Sequence, residues 1–216
     1  MKEKWNRWLP VLLVVVFALT RWPGLLPPNF SAAYALAFCA GVYFPSRIAW
    51  WLPLATLAAT DIVIDIYYTL TLGFNAFQPY QLINYAAYIL LIALGRRFRA
   101  RDSWWKLLTG GVLGAILFYL LTNTASWFFN AFNAPEYTKN LAGWLRALST
   151  GTPGHPPTWE FFRNTLMSGG LFTGLFAGAM KLNAAAESAR EKESPEAEET
   201  EDQPAPEAPV PEKSQA

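Results

Sequence analysis

Two carboxylates spaced four residues apart are the side chains of this sequence that are best placed to do chemistry. Asp61 and Asp65 lie within the long apolar stretch Trp50–Leu72, and residues four apart lie on one face of an α-helix. An ionised carboxylate in apolar surroundings is costly unless it faces the protein interior and finds a partner. The pair therefore predicts either a contact for a cation, a proton or a cationic substrate, or a structural pair that holds helices in register through neighbouring Ser, Thr, Asn or Arg side chains.

The other polar residues of the apolar stretches are predicted to lie at one depth. If these stretches cross a bilayer in turn, the outer half of the bundle collects most of the polar groups, while its inner half offers mainly Gly, Ala and Leu. A few placed polar groups with aromatic walls are typical of a ligand pocket, although helix ends at a membrane interface are also polar and aromatic. We expect an outward-facing substrate-binding pocket, with Arg163 close enough to Asp65 to form an ion pair. Its predicted lining is Asp61, Asp65, Asn84, Asn123, Trp127, Arg163 and Asn164.

Enzymatic chemistry finds little support in the sequence. The motifs of nucleotide-binding loops, zinc proteases and serine hydrolases do not occur. The single histidine, His155, stands among Gly and Pro without acids at ligand spacing, and the single cysteine, Cys39, excludes an internal disulfide and a multi-Cys metal site. The sequence therefore predicts a protein that is not an enzyme and that has no metal or other cofactor.

Composition indicates a membrane protein. The chain is 53% apolar and 15% charged, whereas about a quarter of the residues of an average globular chain are charged. Residues 184–216 hold ten of the sixteen acidic residues and three of the seventeen basic ones, so the body of the chain has a net charge of +8 (fourteen basic, six acidic). Because no foldable nucleic-acid-binding module accompanies this excess, it predicts membrane topology and no nucleic-acid partner.

The apolar stretches predict an all-α, polytopic membrane helix bundle of about six transmembrane helices in residues 1–183. Several stretches are shorter than the roughly 20 residues that an untilted span needs, so flanking residues or local thinning of the bilayer must help. The six stretches are Trp8–Thr20, Ala32–Phe44, Trp50–Leu72, Tyr80–Leu94, Leu107–Phe129 and Phe161–Leu182.

Basic residues orient this bundle. With both termini inside, the cytoplasmic segments collect ten Lys and Arg residues and the outer segments four, as the positive-inside rule requires. We therefore expect a multi-pass membrane protein with both termini in the cytoplasm. The segment Asn130–Glu160 becomes an extracytoplasmic loop, in which Leu141, Trp144, Leu145 and Leu148 have the spacing of a short amphipathic helix on the membrane surface or at the mouth of the bundle.

Residues 184–216 are rich in Glu, Ala, Pro and Ser and have almost no large apolar residue. Such a composition predicts a disordered acidic tail, here on the cytoplasmic side.

Small residues recur at four-residue spacing, which is typical of close contacts between membrane helices. These contacts either pack the bundle internally or bind another membrane subunit. The positions proposed for such a partner are Gly170, Gly174 and Gly178, or Ala33, Ala37 and Gly41.

Four segments carry a family resemblance. They are Pro27–Ser31 before a small-residue helix, the Asp61–Asp65 helix after Pro53, Asn123–Trp127, and Phe161–Thr165. Together they resemble an uncharacterised bacterial family of integral-membrane proteins with a proposed transport role, over most of residues 8–182. More distantly, the chain is similar to the S-components of energy-coupling-factor vitamin importers, which are small six-helix proteins with an extracytoplasmic pocket. Those proteins dock on their partner through Ala-x-x-x-Ala spacing in helix one, whereas here the nearest equivalent is Ala33 and Ala37 in the second stretch.

Two functions follow from these patterns. The first is a substrate-binding or uptake subunit for a small solute or cation, in contact with the lipid bilayer. The alternative is a structural or assembly subunit of the membrane without transport activity.

Overall fold

The computed structural model describes residues 8–73 and 81–201. Seven α-helices and no strand occur in this part of the chain, which confirms the all-α class. The basic residues before Trp8 and the tail beyond Glu201, on which part of the topology and disorder predictions rest, lie outside the described residues. The helices are α1 (Trp8–Arg21), α2 (Ala33–Tyr43), α3 (Ser46–Leu72), α4 (Gln81–Gly95), α5 (Trp104–Phe129), α6 (Leu141–Ala147) and α7 (Thr158–Glu201).

Helix α2 forms the centre of the bundle. Every residue of Ala33–Gly41 is buried, and α2 packs against α1, α3, α4 and α5. A helix that is apolar on all sides gains stability from burial on all sides. Its 11 residues rise only about 16 Å, about half the thickness of a bilayer core.

Small residues let the helices approach closely. At Gly95 of α4 a Cβ atom would overlap the carbonyl oxygen of Phe38, and at Gly41 of α2 it would overlap that of Ile92. Between α5 and α7, a Cβ at Gly169 would come within 2.7 Å of the Ala115 side chain. These contacts allow backbones to meet directly, as in membrane helix pairs.

Most of the small-residue positions proposed for a partner subunit pack against other helices of this chain. Ala33, Ala37 and Gly41 lie in the core. On α7, the Trp104 ring covers Gly174 and Gly178, and its Nε1 donates a hydrogen bond to the Gly174 carbonyl at 3.0 Å.

Two helices among the described residues, α3 and α5, are both long and apolar enough to cross a membrane. They have 27 and 26 residues. Their apolar side chains largely point outward: Ile62, Ile66 and Leu70 of α3 are all more than half exposed. The apolar helices α1, α2 and α4 are shorter.

Helices α3 and α4 run antiparallel, so the contacts between them define two opposite ends of the bundle. At one end Arg96 Nη2 donates to Ser46 Oγ at 2.9 Å; at the other Gln81 Nε2 donates to the Asp65 carboxylate at 3.3 Å. The first end continues into the basic loop between α4 and α5. There the backbone N–H of Arg99, and then Lys106, lower the pKa of the Asp102 carboxyl.

The amphipathic helix predicted in the long loop is confirmed as α6. The side chain of Asn140 accepts a hydrogen bond from the Gly143 N–H at 2.9 Å and so caps the helix. Trp144 Nε1 donates to Thr124 Oγ1 of α5 at 2.9 Å. Leu141 and Leu145 face outward, at 66% and 50% exposure, as on a helix that lies at a membrane surface.

The chain divides into two compact units, Met1–Gly178 and Ala179–Ala216. The sequence predicts a disordered tail from residue 184, whereas α7 continues to Glu201. Ala and Glu, which are strong helix formers, make up most of residues 184–201.

We expect Gly95→Ala to lower the free energy of unfolding by about 2–3 kcal/mol, because its methyl group must displace the backbone of α2. Gly170→Ala is the matched control: its Cβ would meet only Val112 Cγ2, at 3.5 Å, and alanine favours a helix. Thermal unfolding in detergent measures both. Equal melting temperatures for the two variants would contradict the close contact of α2 with α4.

Candidate functional site

An ion pair joins the end of α1 to the middle of α3. Arg21 Nη2 donates to Asp61 Oδ1, and the two side chains are only 19% and 16% exposed. Arg21 is the last residue of α1, where the helix dipole favours a cation, and its guanidinium lies 5.7 Å from the Phe17 ring centroid. This partly buried pair fastens α1 to α3, because removal of one partner would leave the other charge unpaired in apolar surroundings.

Asp65, one turn further along α3, has a different partner from the one that the sequence predicts. The Gln81 amide donates to both of its carboxylate oxygens at 3.3 Å. Arg163 instead lies over the Trp159 ring, 5.4 Å from its centroid. The expected Asp65–Arg163 ion pair is therefore wrong: Gln81 follows α3 closely in the chain, whereas Arg163 is exposed at the start of α7.

A cleft of about 590 Å³ opens beside the ion pair, and we call it the Arg21 cleft. Its aromatic walls are Tyr34 of α2, Tyr88 of α4 and Phe118 of α5. The Tyr34 and Phe118 ring centroids are 4.7 Å apart and those of Tyr88 and Phe118 5.0 Å apart. The polar members of its lining are Thr20, Arg21, Asn29, Ser31, Asp61, Asn84, Thr122, Asn123 and Ser126.

The loop between α1 and α2 contributes one side of this cleft and is held in place at several points. Tyr34 donates its hydroxyl proton to the Asn29 carbonyl at 3.2 Å, and Asn29 adopts a left-handed backbone with φ of 61°. The buried Asn164 of α7 donates to the Pro28 carbonyl at 2.9 Å. Asn164 thus holds the loop, and it is not part of the cleft lining.

A second cleft of about 590 Å³, the His155 cleft, adjoins the first. It lies under the loop that follows α5 and includes Glu136, Tyr137 and His155. Partial burial, and then the Glu136 carboxylate, raise the pKa of the Tyr137 hydroxyl, which therefore stays protonated at neutral pH. The two clefts share the wall residues Asn84, Thr122, Asn123 and Ser126.

Trp127 lies outside both linings. Its Nε1 donates to the Thr138 carbonyl at 2.8 Å, and the Lys139 ammonium lies 5.3 Å from its ring centroid. It packs the outer loop and borders a shallow groove with Trp144.

Of the seven predicted site residues, the structure therefore brings three together in the Arg21 cleft: Asp61, Asn84 and Asn123. Arg21, Tyr34 and Phe118 of this cleft are not among the seven predicted site residues. An arginine that ends a helix, followed by polar residues of a short loop, was the available signal for Arg21.

No group of three or more His, Cys, Asp or Glu side chains that could hold a metal ion occurs among residues 8–73 and 81–201. The arrangement can bind a small molecule: polar groups and one ion pair face a cleft with aromatic walls, as in many ligand pockets.

No curated protein matches this chain in sequence. A family of unknown function matches over residues 1–192, nearly the whole chain. By this match, the chain belongs to the family of unknown function DUF6580.

Proposed function

We propose that this chain is a polytopic membrane protein that binds a small solute in the Arg21 cleft, as the substrate-binding subunit of an uptake system. The observation that carries the proposal is the Arg21–Asp61 ion pair in the wall of a 590 Å³ cleft between apolar helices. Charged residues between membrane helices are costly and commonly mark a path or site for a substrate or ion.

Exposed apolar side chains support a position in the bilayer. Helices α3 and α5 are largely apolar, yet few of their residues are buried within the chain. In the most apolar 18 residues of each helix, 22% are buried in α3 and 39% in α5. A soluble protein would cover such surfaces. In our proposal α1, α2, α4 and the apolar part of α7 complete a bundle of six spans, with α2 shielded from lipid by its neighbours.

Charge supports the proposed orientation. The exposed Arg96, Arg97, Arg99 and Arg101 follow α4 at the end where Arg96 meets Ser46, and such residues favour the cytoplasmic side. The clefts lie at the opposite end and would open outward, which suits the capture of a solute. Both termini would then be cytoplasmic, in the inner membrane of a bacterium.

The resemblance to S-components supports uptake over a purely structural role. Those proteins also place their pocket on the extracytoplasmic side. Since the sequence has no nucleotide-binding loop, the energy for uptake would come from an ion gradient or from a partner subunit.

The orientation is testable with introduced cysteines, because the single native Cys39 is only 2% exposed and gives little background. We expect a membrane-impermeant maleimide to label Thr150→Cys in intact spheroplasts, and Ala100→Cys only after permeabilisation. Both positions are exposed loop residues. The reverse pattern would place the clefts on the cytoplasmic side, and labelling of both in intact spheroplasts would contradict the membrane crossing.

Solute binding is testable with two matched threonines of α5. Thr122 lines the clefts and Thr109 is exposed, yet each hydroxyl donates to the carbonyl four residues earlier at 2.9 Å. We expect some member of a panel of amines, carboxylates, sugars, vitamins and divalent metals to raise the melting temperature of the purified chain by mass action. Thr122→Val should weaken that binding about 5-fold through loss of one hydrogen bond, and Thr109→Val should not.

Two results would contradict this proposal. One is a panel in which no compound stabilises the wild-type chain. The other is a compound whose effect is the same in both threonine variants, since it would then bind outside the clefts.

A further inference from the structure

We propose that the solute is a small protonated organic amine, with its ammonium group near Asp61 and its apolar body against the aromatic wall of the Arg21 cleft. This inference rests on the proposed function and names the chemical class of its substrate. Three independent features of the clefts carry it.

The first feature is charge. The charged residues in the two linings are Arg21 and Asp61 in one cleft and Glu136 in the other. Arg21 and Asp61 neutralise one another, which leaves Glu136, and Asp65 one turn from Asp61, without a cation in contact with either in the described part of the chain. The charges left without a counter-charge in the two linings or one helical turn from them are therefore negative, which favours a cationic ligand over an anionic one.

The second feature is an excess of hydrogen-bond acceptors on the wall that both clefts share. Thr122 and Ser126 donate their hydroxyl protons to the carbonyls of Phe118 and Thr122, at 2.9 Å and 3.0 Å. The Asn123 amide nitrogen donates to the Tyr119 carbonyl at 2.9 Å. Because both hydroxyl protons and one of the two amide N–H groups of Asn123 are engaged along α5, this wall offers one free N–H but lone pairs on the Thr122, Asn123 and Ser126 oxygens for a ligand. Such a wall fits a ligand that donates several hydrogen bonds, as an ammonium group does.

The guanidinium of Arg21 does not reverse this excess. Its Nη2 is engaged by Asp61, and its Nη1, which has no hydrogen-bond partner among the described residues, is buried and does not present its N–H groups to the cleft surface. The guanidinium therefore holds the Asp61 carboxylate in place through a charged hydrogen bond, and a carboxylate ligand would compete with Asp61 for Nη2.

The third feature is the aromatic wall. The rings of Tyr34 and Tyr88 are nearly parallel, with an interplanar angle of 6° and centroids 6.2 Å apart, and Phe118 packs against both. Aromatic faces attract organic cations, and more strongly in desolvated sites. A cleft of 590 Å³ has the volume of a small-molecule site.

Three probes that share one phenyl ring separate charge from shape: 2-phenylethylammonium, 2-phenylethanol and phenylacetate. The melting temperature of the full chain in detergent is measured at pH 7 with each probe at one concentration. We expect 2-phenylethylammonium to raise it, by roughly 5 °C at one hundred times its Kd. The alcohol should give a smaller shift and phenylacetate none.

Two variants test whether the amine binds in the Arg21 cleft. The double variant Arg21→Gln, Asp61→Asn removes both charges without leaving either one unpaired, and it should weaken binding of the amine at least 10-fold. Asp102→Asn makes the same change of an acid at the opposite end of the bundle and should leave binding unchanged. If the double variant does not fold, the melting-temperature shifts that the three probes cause in the wild-type chain still show whether the cleft prefers a cation.

The outcomes separate the two proposals. Equal or greater stabilisation by phenylacetate or 2-phenylethanol, or stabilisation by other panel compounds without the amine, would overturn the amine and leave solute binding standing. If neither the probes nor any panel compound stabilises the wild-type chain, both proposals fall.

Discussion

A charge in apolar surroundings must be neutralised, and the Arg21–Asp61 ion pair meets that requirement. The pair joins the last residue of α1 to the middle of α3, so it sets how these helices lie against each other. It also fixes where the loop after α1 begins, and that loop forms one side of the Arg21 cleft. Because the pair is largely shielded from solvent, salt and water weaken it little. The position of the cleft therefore depends on this electrostatic contact together with the hydrogen bonds of Tyr34 and Asn164 that hold the loop.

Helix α2 meets a different requirement, that of close packing. Its residues are small or apolar on all sides, and α4 approaches through glycines at Gly41 and Gly95. This approach draws Tyr88 of α4 towards Tyr34 of α2 and towards Phe118 of α5. The aromatic wall of the cleft is thus a consequence of how tightly the core helices pack. The packing of the core and the wall of the cleft therefore come from the same contacts.

Some features of the fold were accessible from the sequence because they depend on neighbours in the chain. Apolar runs predicted helices at six places, and the spacing of Leu141, Trp144 and Leu145 predicted α6, which the structure confirms. The predicted tail begins at residue 184, within α7, which reaches Glu201 in the described part of the chain. There the Glu and Ala residues favour a helix even without apolar burial.

By itself, the sequence determined that the chain is helical, that much of its apolar surface lies on long helices, and that polar residues gather towards one end. Only the tertiary structure decided which of these polar residues meet. Asp61, Asn84 and Asn123 share a cleft, whereas Asp65 bonds Gln81, Asn164 holds the loop at Pro28, and Trp127 packs the outer loop. The physical reason is helix rotation: periodicity shows that a helix has a polar face, but packing around the buried α2 decides where that face points.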